Sequence, residues 1–180
     1  MKGIVFVKLN EFIEELWGDE FLDELLEEAE LSSGGVYTTV GTYDDQEFFT
    51  LIGLVEKKQN ISAKDAQLAF GKWVFKDFYN LAPASAHDLK DVFEFLHVVQ
   101  DFIHIEVKKL KPDALLPKFE FLSETPKQLT FHYHSPRKLC FFCEGIVHGL
   151  AQHTGQDVKV SQSECEHEGD QRCVIEVEKL

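Results

Sequence analysis

Positive charge is in short supply in this 180-residue chain: 18 lysines and arginines face 32 aspartates and glutamates, a net charge of −14. Affinity for a nucleic-acid backbone comes from clustered lysine and arginine, so this balance excludes a role that rests on gripping phosphates. Docking on anionic lipid is disfavoured for the same reason. A protein partner with a basic face is easier to accommodate. Long apolar runs are missing too, and no stretch approaches the length of a bilayer span. The opening MKGIVFVKLNEF is interrupted by Lys8, Glu11 and Glu14 before a secretory core forms, and no small-residue cleavage site follows. The expected compartment is therefore the cytoplasm, where four cysteines read as thiols or metal ligands before disulfides. Internal repeats, low-complexity tracts, a phosphate-binding glycine loop and a nucleophile elbow are also absent. A catalytic pair would need a cysteine with His148, His153 or His167, and nothing in the spacing selects one. The expectation is a protein that is not an enzyme.

What is present is apolar and aromatic: 44% hydrophobic residues with 16 phenylalanines, enough for one domain spanning 1–180 with a substantial core. Ile4, Val5, Leu9, Phe12, Ile13 and Leu16 predict a helix that stops at Gly18, and Phe21, Leu22, Leu25 and Leu26 predict a second. The Ser-Ser-Gly-Gly turn and YTTV run before Gly41 read as an irregular link. Thr42 or Asp44 caps a third helix, which buries Phe48, Phe49, Leu51, Ile52 and Val55. Ser62 and Asp65 resemble a capping box that opens a fourth over 63–79. Pro83 breaks it, Asp88 caps the next, and Pro112 and Pro117 close the helical half. The acidic runs of these helices read as solvated faces. After Pro117 the texture alternates: a strand with Phe119 and Phe121, a turn, a strand ending near Tyr133, a helix over 137–154, then strands over 157–164 and 172–178 joined as a hairpin. The predicted class is α+β, a helical subdomain (1–116) followed by a four-stranded antiparallel sheet with its helix (117–180).

The chemistry concentrates between Val98 and Arg137. In VVQDFIHIEVKKL, Val99, Phe102, Ile103, Val107 and Leu110 share a helical face. Glu106, Lys108 and Lys109 are left to solvent, and His104 falls at the edge of the apolar stripe. In LTFHYHSPR, Leu129, Phe131, Tyr133 and Ser135 fall on one strand face, with Thr130, His132 and His134 on the other. Arg137 follows just past the strand end. Two hydroxyls and a guanidinium suit a carboxylate, and suit an apolar ligand with two carboxylates better. Beside a helix-borne imidazole, such a ligand suggests heme, with His104 for the iron and Tyr133, Ser135 and Arg137 for the propionates, against the plainer reading of His104 as a partly buried histidine at a helix edge. Cys140 and Cys143 share a helical face, while Cys165 and Cys173 flank the last hairpin turn. That frame suits either a tetrahedral zinc clip or a set of small buried thiols.

His104, Val107, Lys109 and Leu110 form an HxxVxKL pattern. Together with Tyr133-His134-Ser135-Pro136-Arg137, the opening Met1-Lys2-Gly3-Ile4, the Ala69-Phe70-Gly71 step, the distance from His104 to Pro117 and the closing Gly-Asp-x-x-Cys, it resembles the H-NOX (heme nitric oxide/oxygen binding) family along essentially the whole chain. The resemblance implies a stand-alone, bacterial-type sensor related to the heme domain of soluble guanylate cyclase. It implies heme b between a helical and a sheet-bearing half, His104 as the one protein ligand to ferrous iron, and propionates held by Tyr133, Ser135 and Arg137. Val5, Leu9, Val74, Phe78, Phe142 and Ile146 match the gas pocket. Oxygen-binding members have a Tyr donor where this chain has Phe142, so nitric oxide, and carbon monoxide with it, are the expected ligands. The expected partner is a separate histidine kinase or diguanylate cyclase. Some members hold a structural zinc with residues matching Cys140, Cys165, Cys173 and a His. The position of that His is Gln162 here, which leaves Cys143 or His167 as the fourth ligand. The competing reading is a non-heme small-ligand module built on the zinc clip.

Overall fold

Apolar residues three and four apart build the helices of the N-terminal part, and alternation builds the sheet that follows. The computed structural model describes residues 1–110 and 112–180, apart from the side chain of Ser85. Its contacts group into two units, Met1–Phe70 and Gly71–Leu180, with the division inside a helix. The change of texture at Pro117 falls within the second unit.

The first unit holds α1 (Gly3–Trp17), α2 (Asp19–Ala29), α3 (Asp45–Gln59) and the start of α4 (Ala63–Leu81). Gly18 separates α1 from α2 at φ 89°, a left-handed backbone that glycine adopts without a Cβ penalty. Phe6, Leu9, Phe12, Ile13, Leu25, Phe48, Leu51, Ile52, Val55 and Phe70 form its buried interior. Asp44 caps α3, accepting from Gln46 N–H at 2.9 Å. Ser62 Oγ accepts from Asp65 N–H at 3.0 Å, and its own hydroxyl donates to the Asp65 carboxylate at 2.6 Å.

One acidic residue departs from the solvated-face reading. Glu47 is buried, and it gathers the irregular link by accepting from Ser32 Oγ, Ser33 Oγ, Ser33 N–H and Tyr37 OH at 2.5–3.1 Å. Burial pushes its carboxyl up, but the hydroxyl donors outweigh burial and leave it below the ordinary range. The same burial and the carboxylate together push the Tyr37 phenol well up.

In the second unit, α4 ends before a short 3₁₀ turn at Ala84–Ala86. There follow α5 (Val92–Val98), a π-helical turn (Val99–Ile103) and α6 (His104–Leu110). Asp91, not Asp88, caps α5, accepting from Phe93 N–H at 2.9 Å and Glu94 N–H at 3.2 Å. The π turn also corrects the predicted apolar stripe. Phe102 is 44% exposed and Leu110 81% exposed, because one surplus residue per turn breaks the 3.6-residue phase on which the prediction relied.

Strands β1 (Lys118–Glu124), β2 (Gln128–His134), β3 (Val158–Glu164) and β4 (Cys173–Lys179) make one antiparallel sheet in the order β1-β2-β4-β3. Phe119 pairs with Tyr133 across β1 and β2, and Tyr133 with Cys173 across β2 and β4. Along β2, Leu129, Phe131 and Tyr133 are buried while Thr130, His132 and His134 are not, the alternation expected of a half-covered strand. Helix α7 (Cys140–Thr154) packs on β3 and β4. It starts later than predicted, after Lys138 at φ 51°. Gly71 and Gly149 let α7 meet the Gly71–Leu81 part of α4 backbone to backbone. A Cβ on Gly71 would lie 2.3 Å from Phe142 O, and one on Gly149 would lie 2.5 Å from Phe75 Cβ.

Candidate functional site

His104 opens α6, and its N–H donates to Val99 O five residues back, so the π turn fixes where its side chain leaves the helix. The ring meets Phe119 of β1 edge-on, with centroids 5.5 Å apart and planes at 70°. Its Nδ1 is buried and without a hydrogen-bond partner. A buried imidazole disfavours its charged form, and burial pushes this one down to about 4. It is therefore neutral at pH 7, with a ring nitrogen lone pair to offer and an orphaned polar atom to satisfy.

Beside His104 lies a cavity of about 500 Å³ lined by Gln100, Ile105, Ala114, Leu115, Leu116 and Pro136 among others. That volume is within the range of small-molecule sites. Gln100 Oε1 accepts from Phe119 N–H at 2.7 Å, tying the π turn to β1. Lys108 Nζ donates to Ala114 O at 2.8 Å and steadies the segment before Pro117. Pro117 itself is half-buried, just ahead of β1.

Tyr133 of the trio also meets Phe119, with ring centroids 6.1 Å apart. Tyr133 is buried; burial raises its phenol strongly, and the Ser135 hydroxyl beside it opposes that shift only in part. Ser135 Oγ accepts from Arg137 N–H at 3.2 Å, bending the chain after β2 so that Arg137 turns back, and its Nη1 donates to Leu115 O. Pro136, between them, lines the same cavity as His104. The structure thus brings the predicted imidazole and Pro136, the residue between Ser135 and Arg137, to one cavity, while the Phe119 ring meets both His104 and Tyr133. An unpartnered imidazole at this cavity, with a guanidinium and two hydroxyls on the adjoining strand end and turn, suits heme with its propionates.

Of the other predicted positions, Val74 is buried on α4, and Phe78 meets Phe142 of α7 edge-on with centroids 6.4 Å apart. Ile146 lies one turn on from Phe142, half-buried. None of these side chains carries a hydrogen-bond donor. Val5 and Leu9 lie on α1 in the first unit, Leu9 fully buried.

Cys140 at the start of α7, Cys165 after β3 and Cys173 at the start of β4 converge, with all three sulfurs within 4.8 Å of one another. Burial raises the Cys140 and Cys173 thiols. Cys143 and His167 lie outside this group. His167 Nε2 contacts Lys138 O at 2.6 Å and its ring stacks on Phe141. Gln162 Nε2 donates to the buried Glu144 carboxylate at 3.1 Å. A donor that sequence reasoning missed is Glu166, whose Oε2 is 3.9 Å from Cys173 Sγ. Phe119, Gln100 and the Leu115 carbonyl were missed as well. Only the apolar run before Pro117 hinted at the last of these.

Comparison with known proteins places the chain in a family. The model of the family described as haem-NO-binding matches residues 2–162. An Fe(II) unliganded H-NOX protein from K. algicida is 29% identical with a TM-score of 0.92, the match covering 100% of this chain and 97% of that one. An H-NOX protein from S. oneidensis in the Fe(II)NO ligation state is 30% identical, TM-score 0.91, covering 100% and 99%. The IWP-051-bound H-NOX from Shewanella woodyi in the Fe(II)CO ligation state is 34% identical, TM-score 0.83, covering 100% and 95%.

Proposed function

Because the chain belongs to the haem-NO-binding, or H-NOX, family of heme-based gas sensors, we propose that it senses nitric oxide and passes the signal to a separate effector protein. Heme would supply the ferrous iron at which a diatomic gas binds. The observation that carries the reading is His104: a neutral imidazole with a buried, unpartnered Nδ1, facing a cavity it shares with the turn between Ser135 and Arg137. His104 would hold the iron, and Tyr133, Ser135 and Arg137 the propionates. Arg137 would exchange the Leu115 carbonyl for a carboxylate, a stronger acceptor for a guanidinium.

Selectivity would follow from what the pocket side chains lack. Phe142, Phe78, Val74 and Ile146 present carbon only, and Val5 and Leu9, the remaining matched positions, are apolar as well. Oxygen would gain from a hydrogen-bond donor among these side chains, whereas nitric oxide and carbon monoxide would need less of such help. Signalling would begin if gas binding weakened the hold of His104. Release of a helix-borne ligand gives the gas a differential affinity for two states, the condition for shifting a population. A histidine kinase or diguanylate cyclase with a basic face suits the net charge of −14. Among the described residues no helix is long and apolar enough to cross a membrane.

The converging thiols of Cys140, Cys165 and Cys173 would hold a structural zinc, since a tetrahedral site needs soft donors at this density. Cys143, His167 and the Glu166 carboxylate are the candidates for its fourth position.

An absorption spectrum of the purified ferrous protein with and without nitric oxide, oxygen and carbon monoxide tests the proposal. His104→Ala should lose heme or keep it only with added imidazole, and an unchanged ferrous spectrum in that variant would remove His104 from the argument. A colourless protein with stoichiometric zinc would instead favour the non-heme module.

A further inference from the structure

The face of β2 opposite Tyr133 carries its own constellation. His132 and His134 are two residues apart on a strand and so emerge on the same side. Their rings lie with centroids 3.5 Å apart and planes at 34°. Glu120 of β1 is the residue paired with His132, and its Oε2 lies 2.9 Å from His134 Nε2. Donor atoms of all three fall within 4.8 Å of one another.

We propose that Glu120, His132 and His134 form a second metal site, for a borderline divalent transition-metal cation such as zinc or nickel. Imidazole and carboxylate are the donors these ions accept, whereas magnesium and calcium call for oxygen throughout. Ligands about 2.0–2.1 Å from a tetrahedral ion lie roughly 3.4 Å from each other, so small side-chain rotations of this group suffice. With three protein donors the site keeps a position for water or for a ligand brought by another molecule. Glu120 is exposed and His134 largely so, hence an ion can enter from solvent without opening the fold. Arg172, whose charge reaches His132, is already held by both oxygens of Glu164 at 2.8 and 2.9 Å and does not block the carboxylate of Glu120.

As a plain surface ion pair the His134 and Glu120 contact contributes little to stability. As a chelate it ties the edge strand β1 to β2. The site is independent of the heme reading, because the residues proposed for heme leave β2 on the other face. It is independent of the cysteine cluster as well, whose sulfurs are buried.

The test is calorimetric titration of the purified protein with nickel(II) alone, alongside Glu120→Gln and the double variant His132→Gln/His134→Gln. These substitutions lie on the solvent side of the sheet and leave every cysteine in place. The unsubstituted protein should take up one nickel ion through this face, with Glu120→Gln weakening binding at least about tenfold and the double variant abolishing that isotherm. Nickel should also broaden the ring resonances of His132 and His134 ahead of the other six histidines of the eight, and should raise the unfolding midpoint most in the unsubstituted protein and least in the double variant. Identical isotherms in all three proteins, or broadening centred elsewhere, would overturn the assignment.

Discussion

Replacing Gly71 by alanine puts a methyl group where the crossing of α4 and α7 has no room. The added Cβ would stand 2.3 Å from Phe142 O, 3.0 Å from Ile146 N and 3.1 Å from Gly145 Cα. Ordinary carbon to oxygen contacts are about 1 Å longer than the first of these, and all three neighbours are backbone, so only a shift of one helix relieves the overlap. Overpacking of this kind costs about 1–3 kcal/mol, against a gain of about 1 kcal/mol for alanine over glycine inside a helix. Gly53, in α3, supplies the control: a Cβ there meets nothing within 4 Å. Gly53→Ala should therefore raise stability by about 0.5–1 kcal/mol, and Gly71→Ala should fall below it by about 1–3 kcal/mol, read as urea midpoints at constant slope. The displaced backbone belongs to Phe142 and Ile146, so Gly71→Ala should also change the gas response of the purified ferrous protein while Gly53→Ala leaves it alone. Equal stability of the two variants would refute the close-crossing argument.

Phe142→Tyr adds a hydroxyl beside Phe78, where the proposed gas pocket offers no donor, and one hydrogen bond to a charged acceptor is worth about 1.5–3 kcal/mol, or about one to two powers of ten in affinity. The variant should respond spectroscopically to oxygen where the parent does not, and an oxygen response in the parent would contradict the selectivity argument. Glu47→Gln should cost about 1.5–3 kcal/mol through the lost charge-assisted bonds to Ser32, Ser33 and Tyr37. Because the folded carboxyl lies below its unfolded value of about 4.3, that difference should be full above that pH and fade as pH falls through the folded value. A difference that persists in acid would assign the effect to packing. Cys140→Ser should remove the zinc held at the cysteine cluster, one equivalent fewer by elemental analysis after metal-free purification and titration in the His132→Gln/His134→Gln background, while Cys143→Ser, His167→Ala and Glu166→Gln identify the fourth ligand by which of them weakens it.

The fold was legible wherever neighbouring residues decide the structure. The caps at Asp44 and Ser62, the stop at Gly18 and the alternation along β2 are local events, set by side chains within a few positions of the backbone they govern. Asp91 displaced the expected Asp88 because both offer the same carboxylate and only the later one precedes the residues that enter the helix. Glu47 was unreadable for the opposite reason: a buried carboxylate and a solvated one have the same local pattern, and its donors arrive from a link 10–15 residues away. At the candidate site, the strand face of Tyr133 could be read directly. The meeting of His104 with Phe119, and the convergence of Cys140 with Cys165 and Cys173, depend on strand register and on α7, which no short-range pattern encodes. The exposure of Phe102 and Leu110 shows the limit most directly, since a single surplus residue upstream rotates everything after it.

That surplus residue bears on the dynamics of the helix that carries His104. A π turn is an α-helix holding one residue too many, and the excess has no fixed address: carbonyls on either side can take it in by exchanging an i−5 partner for an i−4 one. Each residue the defect passes is turned by about 100°, the angular step of the α-helix. Between Val99 and Ile103 the chain thus holds something like a dislocation in a crystal. His104 stands at its downstream edge, so a shift of that dislocation past it would swing the imidazole by the same angle.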